Sequence, residues 1–138
     1  MPRITGHCDP LVGPLISVFV SDPQSDRPDD QSPKTEKVTM LIDSGATDSA
    51  ISRAVASRLS LPILGHYGVI GFGSRGTAFQ YLADIELCLD ITHGLSDRLF
   101  LRFESTHSAF QGIIGRDIIG FGRFSMDGRK QEFSFEVD

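Results

Sequence analysis

The residues best placed to do chemistry are Asp43, Ser44 and Gly45, inside "TMLIDSGATDSA" (Thr39–Ala50). An apolar run ends there on a carboxylate, and a tight turn follows at once. An Asx-type turn would use the same residue types for local reasons alone. The apolar approach argues for more, because a buried strand that delivers a carboxylate must satisfy its charge. Gly45 permits close backbone approach, and Ser44 offers a hydroxyl to a neighbour. A carboxylate held rigidly in a shielded place is what general acid or base catalysis requires.

Other chemistries have weaker footing. "IGFGSRG" places Gly71, Gly73 and Gly76 at the G-x-G-x-x-G spacing of a dinucleotide loop. That loop needs a helix opening inside it, whereas a β-type run with Phe79 and Tyr81 follows. A glycine-rich hairpin tip, of the kind that serves as a lid, fits better. "GIIGRDI" sets two β-branched residues between glycines, then Arg116 and Asp117. Arg116 is either plain surface or a fixed fork of donors that locks a nearby acceptor. His7, His66, His93 and His107 have no metal-ligand spacing to one another or to Cys8 and Cys88. No nucleophile elbow or phosphate loop occurs. No metal and no cofactor are expected.

The elements that must position Asp43 are mostly strands. "PLISVFV" (Pro14–Val20) reads as a first strand and "VTMLI" (Val38–Ile42) as a second, buried on both faces. Between them, Ser21–Lys37 has three prolines, many charges and no hydrophobic residue. It reads as a disordered surface loop inserted between two hairpin strands. Ser52–Leu61 reads as a short helix, capped by Ser52 and ended by Pro62. "FQYLADIELCLDI" turns Tyr81, Ala83, Ile85, Leu87 and Leu89 to one face at period two. "RLFLRFES" (Arg98–Ser105) alternates again. Asp127-Gly128 is a hairpin-turn dipeptide ahead of "EFSFEV", with Phe133, Phe135 and Val137 on one face. The fold class is mostly β with one or two short helices.

Bulk properties narrow the setting. A chain of 138 residues is one domain's worth, so 1–138 reads as a single domain. Thirteen basic against 18 acidic residues give a net charge of −5, which argues against a nucleic-acid partner. Two cysteines suggest no disulfide framework and read as free thiols in a reducing, cytoplasmic setting. No apolar run reaches the length of a membrane span, and no clean signal peptide precedes "LVGPLISVFV". A domain of a larger or membrane-tethered precursor fits equally.

Taken in order, "MLIDSGATDSA", "VIGFGSRG" and "GIIGRDI" resemble the retroviral-type aspartic proteases (retropepsins) and their bacterial and retrotransposon relatives. The resemblance spans roughly Pro14 to the C-terminus. It implies a closed acid-protease β-barrel with the active site at a two-fold dimer interface. It implies that Asp43 is catalytic and that Ser44, Gly45 and Ala46 complete the active-site turn. Ser44 stands where the family usually has Thr. Ile70, Gly71, Phe72 and Gly73 look like the substrate-binding flap. Ile113 and Ile114 look like the apolar pair behind the aspartate, and Gly115 and Arg116 like the structural segment after it. Thr47 stands where viral members often carry an acid, so Arg116 needs another acceptor, with Asp48 the expected one.

The family's chemistry needs two carboxylates that share a proton, and the chain has a single Asp-Ser/Thr-Gly turn. The implied solution is a homodimer with Asp43 from each copy, acting on a peptide or protein substrate. "EFSFEV" is then either an interface strand or an ordinary hairpin strand. The competing reading of the whole chain is an inert retropepsin-fold dimerisation module.

Overall fold

The computed structural model describes residues 3–23, 34–71, 74–87, 93–103 and 110–137. The chain runs β1 (Arg3–Asp9), β2 (Gly13–Ser21), β3 (Thr35–Ile42), β4 (Ala50–Ser52), α1 (Arg53–Arg58), β5 (Ile63–Gly71) and β6 (Ser74–Leu87). It continues through β7 (His93–Phe103), β8 (Gly112–Ile114), α2 (Arg116–Ile119), β9 (Gly122–Asp127) and β10 (Glu132–Val137). The mostly β reading with two short helices holds.

The ten strands join in one sheet of order β5-β6-β7-β4-β8-β3-β2-β1-β10-β9. Strand β2 makes a second ladder with β6, from Val18↔Leu87 to Ser21↔Asp84. Hydrogen-bonded pairing therefore runs β2–β3–β8–β4–β7–β6 and returns to β2. Inside this circuit lie Val18, Val20, Val38, Met40, Ile51, Ala83, Ile85, Leu87 and Ile114, all nearly or wholly buried. The period-two face foreseen for Tyr81, Ala83, Ile85 and Leu87 is the inward one; Leu89 lies outside the described residues.

Several expectations change. The β2–β3 ladder extends to Ser21↔Thr35, so both ends of the polar Ser21–Lys37 stretch are strand. The Ser21 and Thr35 hydroxyls bond at 2.9 Å, and the Lys34 amide donates to Asp22 Oδ1 at 3.0 Å. Backbone pairing needs no apolar side chains, which is why composition missed it; residues 24–33 lie outside the described residues. Strand β3 is fully buried on one face only, because Thr39 and Leu41 stay half-buried. Strands β1 and β4 were not foreseen: β1 is largely polar, and β4 is three residues long.

Helix α1 starts as expected, with Ser52 Oγ accepting from the Val55 amide at 3.3 Å. It stops short of Pro62 because Ser60 takes a left-handed φ of 52°. The Leu61 amide then reaches Ala56 O and the Ser60 amide reaches Ser57 O, a Schellman closure that tucks Leu59 and Leu61 into the core. Cys8 is free and buried, and burial pushes its thiol pKa up. Cys88 lies outside the described residues. Among the described residues no helix is long and apolar enough to cross a membrane.

Strand β8 enters between β3 and β4, and Gly112 lets it pass. A Cβ there would lie 2.6 Å from Met40 Cε and 2.7 Å from the Ala50 carbonyl oxygen. Gly112→Ala should therefore lower stability by about 1–3 kcal/mol, read as a drop in the urea midpoint. An unchanged midpoint would contradict this packing.

Candidate active site

Asp43 sits one residue beyond β3, and two neighbouring segments fix it there. Strand β3 pairs in parallel with β8, with Leu41 beside Ile113 and Ile42 beside Ile114. The ladder continues into the turn, because the Asp43 amide donates to Ile114 O at 2.9 Å. Parallel pairing of two apolar runs thus carries the carboxylate to the end of a strand pair with one face in the core. Ile114 is 1% exposed and closes the core side, while Ile113 and Leu41 are half-buried on the opposite face.

The turn then folds back on the aspartate. The Gly45 amide donates to Asp43 Oδ1 at 2.9 Å, and the Ala46 amide donates to Asp43 O at 3.1 Å. One carboxylate oxygen is thereby oriented by the backbone. Asp43 is half-buried, whereas Ser44 and Gly45 are exposed. A Cβ on Gly45 would lie 3.1 Å from Asp43 Oδ1, so a side chain there would press on the carboxylate.

A second set of bonds ties this loop to the start of α2. The Arg116 amide donates to Ala46 O at 2.9 Å. Ser49 Oγ donates to Asp117 Oδ1 at 2.6 Å and accepts from the Gly115 amide at 3.0 Å. The Ser49 amide is held by both oxygens of Asp117, each at 3.1 Å. Ser49 is the one polar side chain fully buried among the described residues, at 0% exposure, so its hydroxyl needs both partners. Gly115 is obligatory here, because a Cβ would lie 2.6 Å from the Asp48 carbonyl carbon and 2.7 Å from its oxygen.

Arg116 finds a different acceptor from the one expected. Its Nη2 donates to Thr47 Oγ1 at 3.0 Å, and Asp48 takes no part in that bond. With a hydroxyl in place of an acid, the loop contact survives as an exposed hydrogen bond between uncharged acceptor and charged donor. The structure thus brings together Asp43, Ser44, Gly45, Ala46, Ile113, Ile114, Gly115 and Arg116. Ile70 and Gly71 end β5, whose ladder with β6 closes at Gly71↔Ser74. Phe72 and Gly73 lie outside the described residues.

Sequence reasoning missed Ser49 and Asp117. The only available signal was an acid directly after Arg116; Ser49 lies in the polar run Thr47–Ser49 and gave none. Among the described residues no group of three or more His, Cys, Asp or Glu side chains could hold a metal ion. A concavity of about 500 Å³ lies elsewhere, on β1, β9 and β10, where Thr5, His7, Met126, Glu132 and Phe133 help line it.

The fold is similar to a retropepsin-like one. A crystal structure of a retropepsin-like aspartic protease from Rickettsia conorii matches 96% of this chain and 89% of its own, with a TM-score of 0.61 and 15% identity. The likeness is one of fold. No family model matches the sequence, and no curated protein matches it.

Removing the clamp should cost stability. Asp117→Ala strands the buried Ser49 hydroxyl and amide, a loss of about 1–3 kcal/mol measured by urea denaturation. Asp117→Asn keeps an acceptor oxygen and should lose less. Equal, negligible losses in both variants would remove the clamp from the account.

Proposed function

We propose that the chain, acting as a single domain, is one half of a homodimeric aspartic endopeptidase in which Asp43 from each copy forms the catalytic dyad. The observation that supports this most directly is the anchoring of Asp43. Its Oδ1 accepts from the Gly45 amide, and its backbone is tied to Ile114, at the mouth of a retropepsin-like fold.

The reaction follows from two carboxylates in contact. They cannot both be ionised, so the pair holds one proton. The ionised member takes a proton from water as the water oxygen attacks the peptide carbonyl carbon. The protonated member gives its proton to the carbonyl oxygen. Collapse of the resulting diol breaks the carbon–nitrogen bond, and the departing nitrogen takes up a proton. A single chain supplies one such carboxylate, so the second copy completes the site.

In this reading Ser44 grips the partner's loop with its hydroxyl. The hairpin bearing Ile70, Gly71, Phe72 and Gly73 closes over the substrate. Ile113 lines a pocket for an apolar side chain near the scissile bond. Anchoring through the Gly45 amide survives in Asp43→Asn, because the amide oxygen accepts the same bond.

Asp43→Asn should therefore keep its urea midpoint while losing peptide cleavage by at least about a hundredfold. Wild type and variant would be compared on a peptide library from acidic to neutral pH. Equal cleavage by both would sink the catalytic assignment. Absence of cleavage by the wild-type dimer would favour the inert dimerisation module.

A further inference from the structure

Strand β10, "EFSFEV", has both backbone edges occupied within its own chain. It pairs with β1 on one side and β9 on the other. Edge-to-edge joining of two copies through β10 is therefore blocked. The sheet's terminal strands are β5 and β9, and β9 pairs with β10 and with no other strand among the described residues. Natural edges are commonly blunted by charged side chains, a bulge, a proline or a short run. Strand β9 carries two charges, Arg123 and Asp127, but no proline or bulge: its register with β10 is unbroken from Glu132↔Asp127 to Val137↔Gly122.

We propose that β9 is the edge on which a second copy of this chain docks. It would lie antiparallel about a two-fold axis at Ser125, with each Arg123 against the partner's Asp127. This rests on the dimeric reading above and names the surface that makes the dimer.

Charge chooses the register. Centred on Ser125, antiparallel pairing also sets Phe124 opposite the partner's Met126. Centred on Arg123 it would oppose two arginines, and centred on Asp127 two aspartates; like charges directly opposite are destabilising. Centred on Phe124 it would leave Arg123 facing the partner's Ser125, with neither charge matched.

The unpaired chain has a deficit that this register fills. Asp127 stands directly opposite Glu132 in the β9–β10 ladder, acid against acid. Arg123 stands opposite Glu136, which is already engaged by Arg3 at 3.7 Å, and Arg123 makes no ion pair among the described residues. Asp127 Oδ1 accepts from the Arg129 and Lys130 amides, which leaves Oδ2 for an incoming guanidinium. Across the joined sheet the row would read Arg3, Glu136, Arg123, then the partner's Asp127 and Glu132. The other face carries the apolar part: Phe124 packs on Phe133 with ring centroids 6.2 Å apart, and Met126 is 58% exposed.

Sedimentation velocity of the full chain tests this with Arg123→Asp and Asp127→Arg. Each variant alone should dimerise roughly tenfold more weakly than wild type, because both cross-strand pairs become repulsive. An equimolar mixture should recover the dimer, since only the mixed pairing matches charges. As a readout independent of charge, Ser125→Cys should form a disulfide-linked dimer under mild oxidation while wild type stays unlinked. Facing Cα atoms in an antiparallel ladder lie about 4.5–5.5 Å apart, within disulfide reach. A dimer that ignores both charge variants and leaves Ser125→Cys unlinked would overturn this edge while leaving the shared active site standing. A wild-type chain that is monomeric at every concentration would overturn both.

Discussion

The buried Ser49 hydroxyl is the contact on which the site depends. It accepts a hydrogen bond from the Gly115 amide and donates one to Asp117. A hydroxyl with no access to water has no substitute partner, so the two segments it joins must stay in contact or leave polar groups bare. One of those segments carries Asp43 and the other opens α2. The hydrogen bond spans 66 residues of sequence, which makes it a tertiary constraint and not a local turn.

Around that contact the remaining bonds act as a short zipper. The Asp43 amide, the Ala46 carbonyl, the Thr47 hydroxyl and Ser49 each meet a group between Ile114 and Asp117. Glycine at 115 permits the approach, and glycine at 112 lets β8 slide between β3 and β4. The carboxylate is therefore oriented by backbone and by buried side chains, while Ser44 and Gly45 remain outside the protein's own packing. A carboxylate supported rigidly from beneath, beside an exposed turn, is preorganised to meet a group from outside the chain.

The sequence carried the strands with strong alternation and the turn with distinctive residue types. Tyr81 to Leu87 and Phe133 to Val137 were legible because one face is apolar and the other is not. Asp43 was legible because a charge at the end of an apolar run demands an explanation. Strand β4 was hidden because three residues give no period, and β1 because its partners, not its composition, make it a strand. Ser49 and Asp117 were hidden for a related reason: a hydrogen bond between residues far apart in sequence leaves no local pattern. The acceptor for Arg116 was misjudged by charge, since proximity gave the place to the Thr47 hydroxyl instead of the Asp48 carboxylate.

The order of the strands has a consequence for how the chain is made. Strand β3 emerges early, but its parallel neighbour β8 and the clamp at Asp117 come some seventy residues later, a separation of 68 between Ser49 and Asp117. Pairings so distant in sequence must close a long loop before they return any stabilisation. Until β8 and the start of α2 have been synthesised, the Asp43 turn has only its own local bonds, from the Gly45 and Ala46 amides. A growing chain therefore holds its carboxylate without this tertiary support until β8 and residues 115–117 have followed it.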